Sequence, residues 1–202
     1  MSSGQYFADD PSVGSDPRPV EIALPDVAFT LTADRGVFSA DNLDAGTKFL
    51  LLEAPPLASA DAMVLDLGCG WGPIACVAAA RAPQAAVWAV DVNERARHLT
   101  ELNAAAIGAA EQIRVATPES VPADVRFDRI LSNPPIRIGK HALHDLMQCW
   151  LPRLTPNGCA HLVVQKHLGS DSLASWLRNN GYDVDRIKSR AGFRILEVRP
   201  EG

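Results

Sequence analysis

The fold is decided at residues 63–74, which read Met63-Val-Leu-Asp-Leu-Gly-Cys-Gly-Trp-Gly-Pro-Ile74. A short apolar strand runs into three glycines at alternate positions, from Gly68 to Gly72, and an alanine-rich segment follows. Glycines allow a positive φ and a close approach of the backbone to a ligand, and the N-terminus of a helix carries free N–H groups. These residues therefore predict a strand, a ligand-binding loop and a helix over 72–81.

Two acidic residues near this loop favour a nucleoside ligand. Asp66 stands two positions before the first glycine, where a carboxylate would repel pyrophosphate but suit a cationic ligand with an amino group. Asp91 ends the next apolar run, at the position that holds the ribose hydroxyls in nucleoside-binding βαβ units. The third glycine also comes one residue earlier than in the G-x-G-x-x-G fingerprint of dinucleotide-binding loops. The spacing therefore disfavours a nicotinamide-dependent oxidoreductase.

A second motif, Asn133-Pro134-Pro135-Ile136, follows the apolar run at 127–132. Ligands of open α/β sheets bind beyond the carboxyl ends of such strands, and two consecutive prolines stiffen the chain there. The side-chain amide of Asn133 and the carbonyl of Pro134 offer two acceptors to the two hydrogens of a planar exocyclic amine. The motif thus predicts an amine-binding site, although Asn-Pro is also a common turn dipeptide.

With these motifs the chain resembles the small methyltransferase domain, the class I S-adenosylmethionine-dependent fold of ribosomal RNA guanine-N2 methyltransferases. The glycine loop is shared by many methyltransferases, whereas the Asn-Pro-Pro-Ile-Arg stretch is narrower. The resemblance covers most of the chain. It rests on Val64-Leu-Asp-Leu-Gly-Cys-Gly-Trp-Gly-Pro73, Asp91-Val-Asn-Glu94, Ser132-Asn-Pro-Pro-Ile-Arg-Ile-Gly-Lys140, Asp34-Arg-Gly-Val-Phe-Ser39, Asp44-Ala-Gly-Thr47 and Val164-Gln-Lys166.

The resemblance implies a Rossmann-like α/β fold: a mostly parallel seven-stranded sheet, helices on both faces and a C-terminal antiparallel hairpin. The core spans 57–202, and a short β-hairpin and helix extension at 20–56 precedes it within the same domain. Residues 1–19 are expected to form a poorly ordered arm because they are rich in proline, serine and aspartate. The predicted elements are a hairpin at 21–24 and 28–32, a helix at 44–53, strands from Met63 and at 86–91, 112–116, 127–132 and 159–165, helices at 72–81, 94–107, 139–151 and 170–180, and a hairpin at 183–189 and 194–199.

The resemblance also implies which residues bind S-adenosylmethionine. Asp66 is expected near the sulfonium or the methionine amino group, and Asp91 at the ribose diol. Glu119 falls where relatives usually have an aspartate near the adenine amine, and Phe38 with Thr47 would form a lid over the cofactor. The predicted cofactor-binding residues are Asp66, Gly68, Cys69, Gly70, Asp91, Val92, Asn93, Glu119 and Asn133.

The expected reaction is methylation of a guanine amine in small-subunit ribosomal RNA. Two oriented acceptors would turn the amine lone pair towards the methyl group and favour the positive charge that develops on nitrogen. Ile136 would pack on the base plane, and basic residues would contact phosphate. The predicted catalytic residues are Asn133, Pro134, Pro135 and Ile136, and the predicted RNA-binding residues are Arg137, Lys140 and Lys166.

Composition sets limits on these expectations. The chain has 202 residues, 47% of them hydrophobic, which suits one domain with a substantial core. It lacks both a membrane-length apolar stretch and signal-peptide features at its start, so a cytoplasmic protein is expected. The four cysteines have no metal-ligand spacing, and no metal is expected. The net charge of −5 argues against a strongly basic RNA-binding surface, so binding would rely on the assembled ribosomal particle.

Two alternatives remain open at the level of sequence. One is an N-methyltransferase that acts on another planar nitrogen, a protein glutamine amide or adenine, although such enzymes more often have an aromatic residue in place of Ile136. The other is a catalytically silent domain that binds S-adenosylmethionine or serves as an RNA scaffold. Loss of Asn133 or Asp91 would mark the silent domain, and both residues are present.

Overall fold

Strands and helices alternate from Met63 onward, as the sequence predicts. The computed structural model describes residues 14–135 and 139–201. The strands are β1 (Arg18–Ala23), β2 (Ala28–Ala33), β3 (Met63–Leu67), β4 (Ala86–Val90), β5 (Ile113–Ala116), β6 (Phe127–Ser132), β7 (Leu154–Gln165), β8 (Tyr182–Arg190) and β9 (Phe193–Pro200). The helices are α1 (Ala45–Glu53), α2 (Pro73–Arg81), α3 (Glu94–Ala106), α4 (Lys140–Trp150) and α5 (Ser170–Arg178), with short 3-10 helices at Pro118–Ser120, Leu151–Arg153 and Lys166–Leu168.

One seven-stranded sheet forms the centre of the molecule, in the order β5-β4-β3-β6-β7-β9-β8. β3 pairs in parallel with β4 and β6, and the parallel pairing continues to β5 and β7 at the two sides. β9 runs antiparallel between β7 and β8, which confirms the expected C-terminal hairpin. The chain winds away from β3 in both directions, so the carboxyl ends of β3, β4 and β6 meet at the topological switch point.

Helices cover both faces of this sheet. Successive side chains of a strand point to opposite faces, so Val64 and Leu131 pack against one helical layer while Leu65 and Ile130 pack against the other. The first layer contains α1, α2, α3 and the N-terminal hairpin, and the second contains α4 and α5. Within the described ranges, no helix has the length and apolar character needed to cross a membrane.

The N-terminal hairpin begins earlier than predicted. β1 starts at Arg18, inside the segment expected to be a poorly ordered arm, and residues 1–13 of that segment lie outside the described residues. The buried Asp34 accounts for the earlier start, because its carboxylate accepts hydrogen bonds from Ser15 Oγ at 2.7 Å and from Asp16 N at 2.6 Å. These contacts hold the chain that enters β1 against the end of β2.

A buried polar network joins β6, β7 and β9 away from the switch point. Arg129 donates to Asp61 Oδ2 at 2.8 Å and to His161 Nδ1 at 3.2 Å, and His161 Nε2 lies 2.8 Å from Glu197 Oε2. Burial and the neighbouring Arg129 lower the pKa of His161 to about 4, so the imidazole is neutral at pH 7. Arginine only donates, so Nδ1 accepts and Nε2–H donates to Glu197. Periodicity gives no sign of this network.

Candidate active site

A cavity of about 800 Å³ lies at the carboxyl ends of β3, β4 and β6. Three segments that directly follow these strands line it: Gly68–Gly70, Asp91–Asn93 and Asn133–Pro135. The volume falls in the range of small-molecule and cofactor sites. The structure therefore brings together, in one cavity, the two motifs that the sequence singled out.

The backbone amides of the glycine loop are already engaged by the protein. Gly68 N and Cys69 N both donate to the carbonyl of Val90, at 2.8 and 3.0 Å. Gly70 N donates to Asp91 Oδ2 at 2.9 Å, and Gly72 N donates to the carbonyl of Cys69 at 2.9 Å. A loop that cradles phosphate needs free N–H groups that point at the anion. This loop instead suits a ligand that packs against its backbone.

Two side chains of α3 hold the glycine loop from behind. Thr100 Oγ1 donates to the carbonyl of Gly70 at 2.9 Å, and Asn103 Nδ2 donates to the carbonyl of Trp71 at 2.7 Å. A Cβ built on Gly72, where φ is 90°, would lie 2.9 Å from Thr100, so only glycine fits there. Sequence reasoning missed both α3 residues. Their spacing of one helical turn on the buried face of α3 was the available signal.

Asp91 fixes the loop after β3 to the start of α3. Its Oδ2 accepts from Gly70 N and its Oδ1 accepts from Asn93 N, both at 2.9 Å. Burial raises the pKa of Asp91, while these backbone hydrogen bonds act in the opposite direction. A carboxylate oxygen can accept two hydrogen bonds, so both oxygens of Asp91 retain capacity towards hydroxyl groups in the cavity. This geometry fits a ribose diol.

Two predicted cofactor residues are not on the cavity wall. Asp66 is fully buried behind the glycine loop. Its Oδ2 accepts a hydrogen bond at 2.9 Å from the backbone N–H of Ala75, in the first turn of α2. Burial raises the pKa of Asp66 to about 8, and nearby Asp91 adds to the rise. Glu119 is exposed on its 3-10 helix, and Pro118 lines the cavity in its place. Asp66 and Glu119 thus lie outside the set of residues that line the cavity, and their contacts with a ligand stay a prediction.

The raised pKa of Asp66 makes the stability of the fold depend on pH. An unfolded aspartate titrates near pH 3.9. The contribution of protonated Asp66 to the stability of the fold is therefore complete below about pH 4 and is lost as the pH rises through about 8. Asparagine cannot ionise. We therefore expect Asp66→Asn to gain stability over the wild type by on the order of 1 kcal/mol per pH unit across this window. Urea unfolding of the ligand-free proteins at about pH 5 and pH 8 measures the difference, with exposed Asp124→Asn as the control. A difference that stays constant with pH would contradict the assignment.

Asn133 is held by the N-terminal extension. Its Nδ2 donates to Asp44 Oδ2 at 2.7 Å and to Thr47 Oγ1 at 3.0 Å. A carboxylate oxygen accepts and does not donate, so this contact identifies which end of the amide is nitrogen. Both N–H groups of Asn133 are then occupied, and Oδ1 is the atom left for a ligand. Asn133, Pro134 and Pro135 all line the cavity.

The outer wall comes from segments that the sequence left in doubt. Phe38 lines the cavity and is 51% exposed, which suits its predicted place in a lid. Thr47 also lines the cavity, but it is buried and bonded to Asn133, so it belongs to the wall rather than to a lid. Gln165 from the end of β7 and Phe193 from the start of β9 complete this side. Sequence reasoning did not assign a role to either.

Two of the predicted basic residues, here called the mouth lysines, lie within two positions of residues that line the cavity. Lys140 begins α4, two residues before the lining residue Ala142, and Lys166 directly follows the lining residue Gln165. Both lysines are exposed, and neither takes part in an ion pair within the described ranges. The predicted roles of Ile136 and Arg137 fall outside the described residues.

Comparison with known proteins identifies relatives of this arrangement. Residues 28–197 match the family model of the methyltransferase small domain. The chain is 30% identical over 200 residues to the uncharacterized protein YbxB of Bacillus subtilis, covering 98% of both chains. It is 32% identical over 194 residues to the ribosomal RNA large subunit methyltransferase G of Shewanella amazonensis, covering 90% of this chain and 49% of the relative.

A solved structure shares the fold. The T. thermophilus 16S rRNA N2 methyltransferase RsmC, in complex with AdoMet and guanosine, superposes with a TM-score of 0.75 at 22% identity. The match covers 94% of this chain and 52% of that chain. The chain thus spans about half the length of the two ribosomal RNA methyltransferases and nearly the whole length of YbxB.

Proposed function

The chain belongs to the methyltransferase small domain family, and on that premise we propose that it methylates the exocyclic N2 amine of a guanosine in small-subunit ribosomal RNA. Its cofactor is S-adenosylmethionine. The observation that carries the proposal is the orientation of Asn133, whose side-chain nitrogen is bonded to Asp44 and Thr47 and whose oxygen is left for the cavity. An acceptor at that point suits an amine with hydrogens to donate.

The residues around the cavity fit an adenosyl group. Asp91 has acceptor capacity for a ribose diol, and the wall at Val92, Asn93 and Pro118 offers a slot beside it for a planar base. Gly68 and Gly70 have positive φ values of 75° and 57°, and the loop backbone forms the floor. When bound, S-adenosylmethionine supplies a methyl group that its sulfonium has already activated. The protein then has to orient the nitrogen that receives the methyl group.

Asn133 and Pro134 perform the orientation in this proposal. A guanine amine is a weak nucleophile because its lone pair is delocalised into the ring. Two acceptors, Asn133 Oδ1 and the Pro134 carbonyl, would hold both amine hydrogens and turn the lone pair towards the methyl group. The same oxygens would stabilise positive charge developing on nitrogen, since they are placed before the reaction starts. Pro135 stiffens the segment, and its Cδ lies 4.0 Å from the Cβ position of Gly68, beside the cofactor loop.

The substrate class is supported by the relatives and by the cavity mouth. The G enzyme of Shewanella is named for the large ribosomal subunit, and RsmC for 16S rRNA, so the two differ in the RNA that they modify. We assign the small subunit because the Asn-Pro-Pro-Ile-Arg stretch resembles guanine-N2 enzymes of that subunit. Exposed Lys140 and Lys166 at the mouth would contact phosphate, and so would Arg137, which directly follows the Asn-Pro-Pro-Ile motif in sequence. Ribosomal particles would supply the remaining affinity that a chain of net charge −5 lacks.

Removing the two mouth lysines should weaken RNA binding. Each phosphate contact adds about one to the slope of log affinity against log salt concentration, because bound counterions are released. We therefore expect Lys140→Gln/Lys166→Gln to bind RNA less tightly, with a slope shallower by about one to two. Affinity for S-adenosylhomocysteine should stay unchanged, because neither lysine lines the cavity.

The matched control removes two cations from the opposite edge of the sheet. Arg126 directly precedes β6, and Arg153 directly precedes β7. The double variant Arg126→Gln/Arg153→Gln removes the same amount of charge as the lysine variant. Fluorescence titrations at several salt concentrations compare the two double variants. Equal losses of RNA affinity in the two double variants would indicate a general charge effect. Lys140 and Lys166 would then make no specific contact with phosphate.

The decisive experiment is methyl transfer from labelled S-adenosylmethionine to undermodified small ribosomal subunits, followed by nucleoside mass spectrometry. N2-methylguanosine is the expected product. Label in N6-methyladenosine or in a protein glutamine would favour the alternative planar-nitrogen substrates. Cofactor binding without transfer to any of these would favour the silent domain.

A further inference from the structure

We propose that Asp44 and Thr47, in the N-terminal extension, are positioning residues that set the direction in which the Asn133 amide faces. The inference rests on the proposed function, because it explains how the acceptor for the amine is held. It gives the extension a part in the chemical step, through contacts made across the molecule between α1 and the end of β6.

One carboxylate oxygen joins the two segments. Asp44 Oδ2 accepts from Thr47 N at 2.9 Å, which caps α1, and it also accepts from Asn133 Nδ2 at 2.7 Å. Thr47 Oγ1 lies 3.0 Å from Asn133 Nδ2 and accepts its second hydrogen. Thr47 is 5% exposed, so water does not compete freely for this contact. The cap of the helix and the anchor of Asn133 are therefore the same atom.

An asparagine needs such an anchor to serve as an acceptor. Its oxygen and nitrogen ends have nearly the same shape, so packing alone does not select between the two orientations. In the reversed orientation, Asn133 would present N–H groups to the N–H groups of an amine, and its oxygen would face the carboxylate of Asp44, which has no hydrogen to donate. The carboxylate of Asp44 disfavours that orientation, and the hydroxyl of Thr47 supplies a second acceptor in the observed one. They also leave Oδ1 as the acceptor on the cavity side.

The charge of Asp44 also strengthens the acceptor. A carboxylate that accepts from the NH₂ group of an amide pushes the electrons of that amide towards the amide oxygen. Hydrogen bonds in a chain polarise one another in this way. The chain here runs from Asp44 through the Asn133 amide to the amine of the substrate. The polarised Oδ1 is then better suited to a nitrogen that gains positive charge.

The local packing of α1 keeps Asp44 in place. A Cβ on Gly46 would lie 2.9 Å from Asp44 Oδ2 and 2.9 Å from the ring of Phe193, so a larger residue there would displace the carboxylate or the ring. Leu50 on the same helix is buried in the core. The spacing Asp44-Ala-Gly-Thr47 is thus what allows one carboxylate to cap the helix and to reach Asn133.

Substitutions at Asp44 separate the two jobs of its carboxylate. Serine is as good a helix cap as aspartate, but its hydroxyl is one bond shorter and would not reach Asn133. We expect Asp44→Ser to keep the melting temperature within a few degrees and the affinity for S-adenosylhomocysteine unchanged, while methyl transfer slows on the order of 10–100-fold. Asp44→Asn keeps an acceptor for both contacts and should retain most of the rate, within about fivefold of wild type. Exposed Asp41→Ser is the matched control.

Two measurements test the proposal independently of each other. Single-turnover methylation with saturating cofactor reports the rate, and ¹⁵N spectra report how fast the Asn133 side-chain N–H groups exchange with water. In Asp44→Ser both should change, and in Asp41→Ser neither should. A wild-type rate in Asp44→Ser, with active wild-type protein, would overturn the positioning role while leaving the proposed function intact. If the wild type itself transfers no methyl group to RNA, the proposed function fails, and unchanged N–H exchange in Asp44→Ser would then overturn the anchor itself.

Discussion

Replacing Asn133 by alanine should slow methyl transfer on the order of 10²–10³-fold, the loss that follows removal of one preorganised transition-state hydrogen bond. The side chain lines the cavity, its N–H groups are taken by Asp44 and Thr47, and its oxygen accepts no hydrogen bond from the described residues. Affinity for S-adenosylmethionine should stay close to that of the wild type, because the proposed ribose and loop contacts come from Asp91 and the glycine loop, which are separate segments of the cavity lining. The effect therefore falls on the chemical step.

The aspartate variant sharpens this test. Asn133→Asp would place a carboxylate oxygen against Asp44 Oδ2, where the amide nitrogen now lies at 2.7 Å. Like charges at that distance repel strongly in a partly buried site, so the side chain would turn away or take up a proton. A carboxylate can also accept from the amine, but because of this repulsion we expect Asn133→Asp to transfer methyl groups more slowly than the wild type. Adding Asp44→Asn should restore part of the rate.

Single-turnover methylation of undermodified small ribosomal subunits, at saturating cofactor, measures these rates. The control is exposed Asn179→Ala, which removes an asparagine from the end of α5. A wild-type rate in Asn133→Ala would mean that Asn133-Pro134-Pro135 is only a rigid turn. A loss of cofactor affinity equal to the loss of rate would instead place Asn133 in cofactor binding.

Local patterns were enough to predict the sheet and the floor of the cavity. Glycines after an apolar strand, and an acid at the end of the next one, report directly on a βαβ unit. Parallel strands end at a shared edge, so Gly68, Asp91 and Asn133 had to meet there once the alternation of strands and helices was recognised. The fold and the place of these residues follow from neighbours in sequence.

Contacts between distant segments were beyond such patterns. Nothing in the sequence pairs Asp44 with Asn133, which lie 89 residues apart, and the burial of Thr100 on α3 does not by itself show that it supports the glycine loop. The position of Asp66 has a related explanation: an acid inside a motif suggests a ligand contact, but the register of β3 directs its side chain into the interior behind the loop. Side-chain direction at a strand end depends on tertiary packing, which periodicity does not encode.

Asp91→Ala should weaken binding of S-adenosylhomocysteine by on the order of 10²-fold or more. Two charge-assisted hydrogen bonds to a ribose diol are worth about 1.5–3 kcal/mol each before water competes for the same groups. The variant also leaves Gly70 N and Asn93 N without their acceptor, so we expect a lower melting temperature in the ligand-free protein. Calorimetry measures the affinity, and exposed Asp124→Ala is the control for loss of an acid.

A second variant distinguishes contact with the ligand from support of the loop. Thr100 Oγ1 holds the carbonyl of Gly70 from behind and does not line the cavity, so Thr100→Val loosens the same loop without removing a group that faces the ligand. If Asp91 binds the ribose, Thr100→Val should lower the melting temperature and cost less than about tenfold in affinity, the worth of one neutral hydrogen bond. The loss in Asp91→Ala should then exceed it by at least an order of magnitude. Equal losses of affinity in the two variants would assign Asp91 to the support of the glycine loop, because loosening that loop would by itself account for the whole effect.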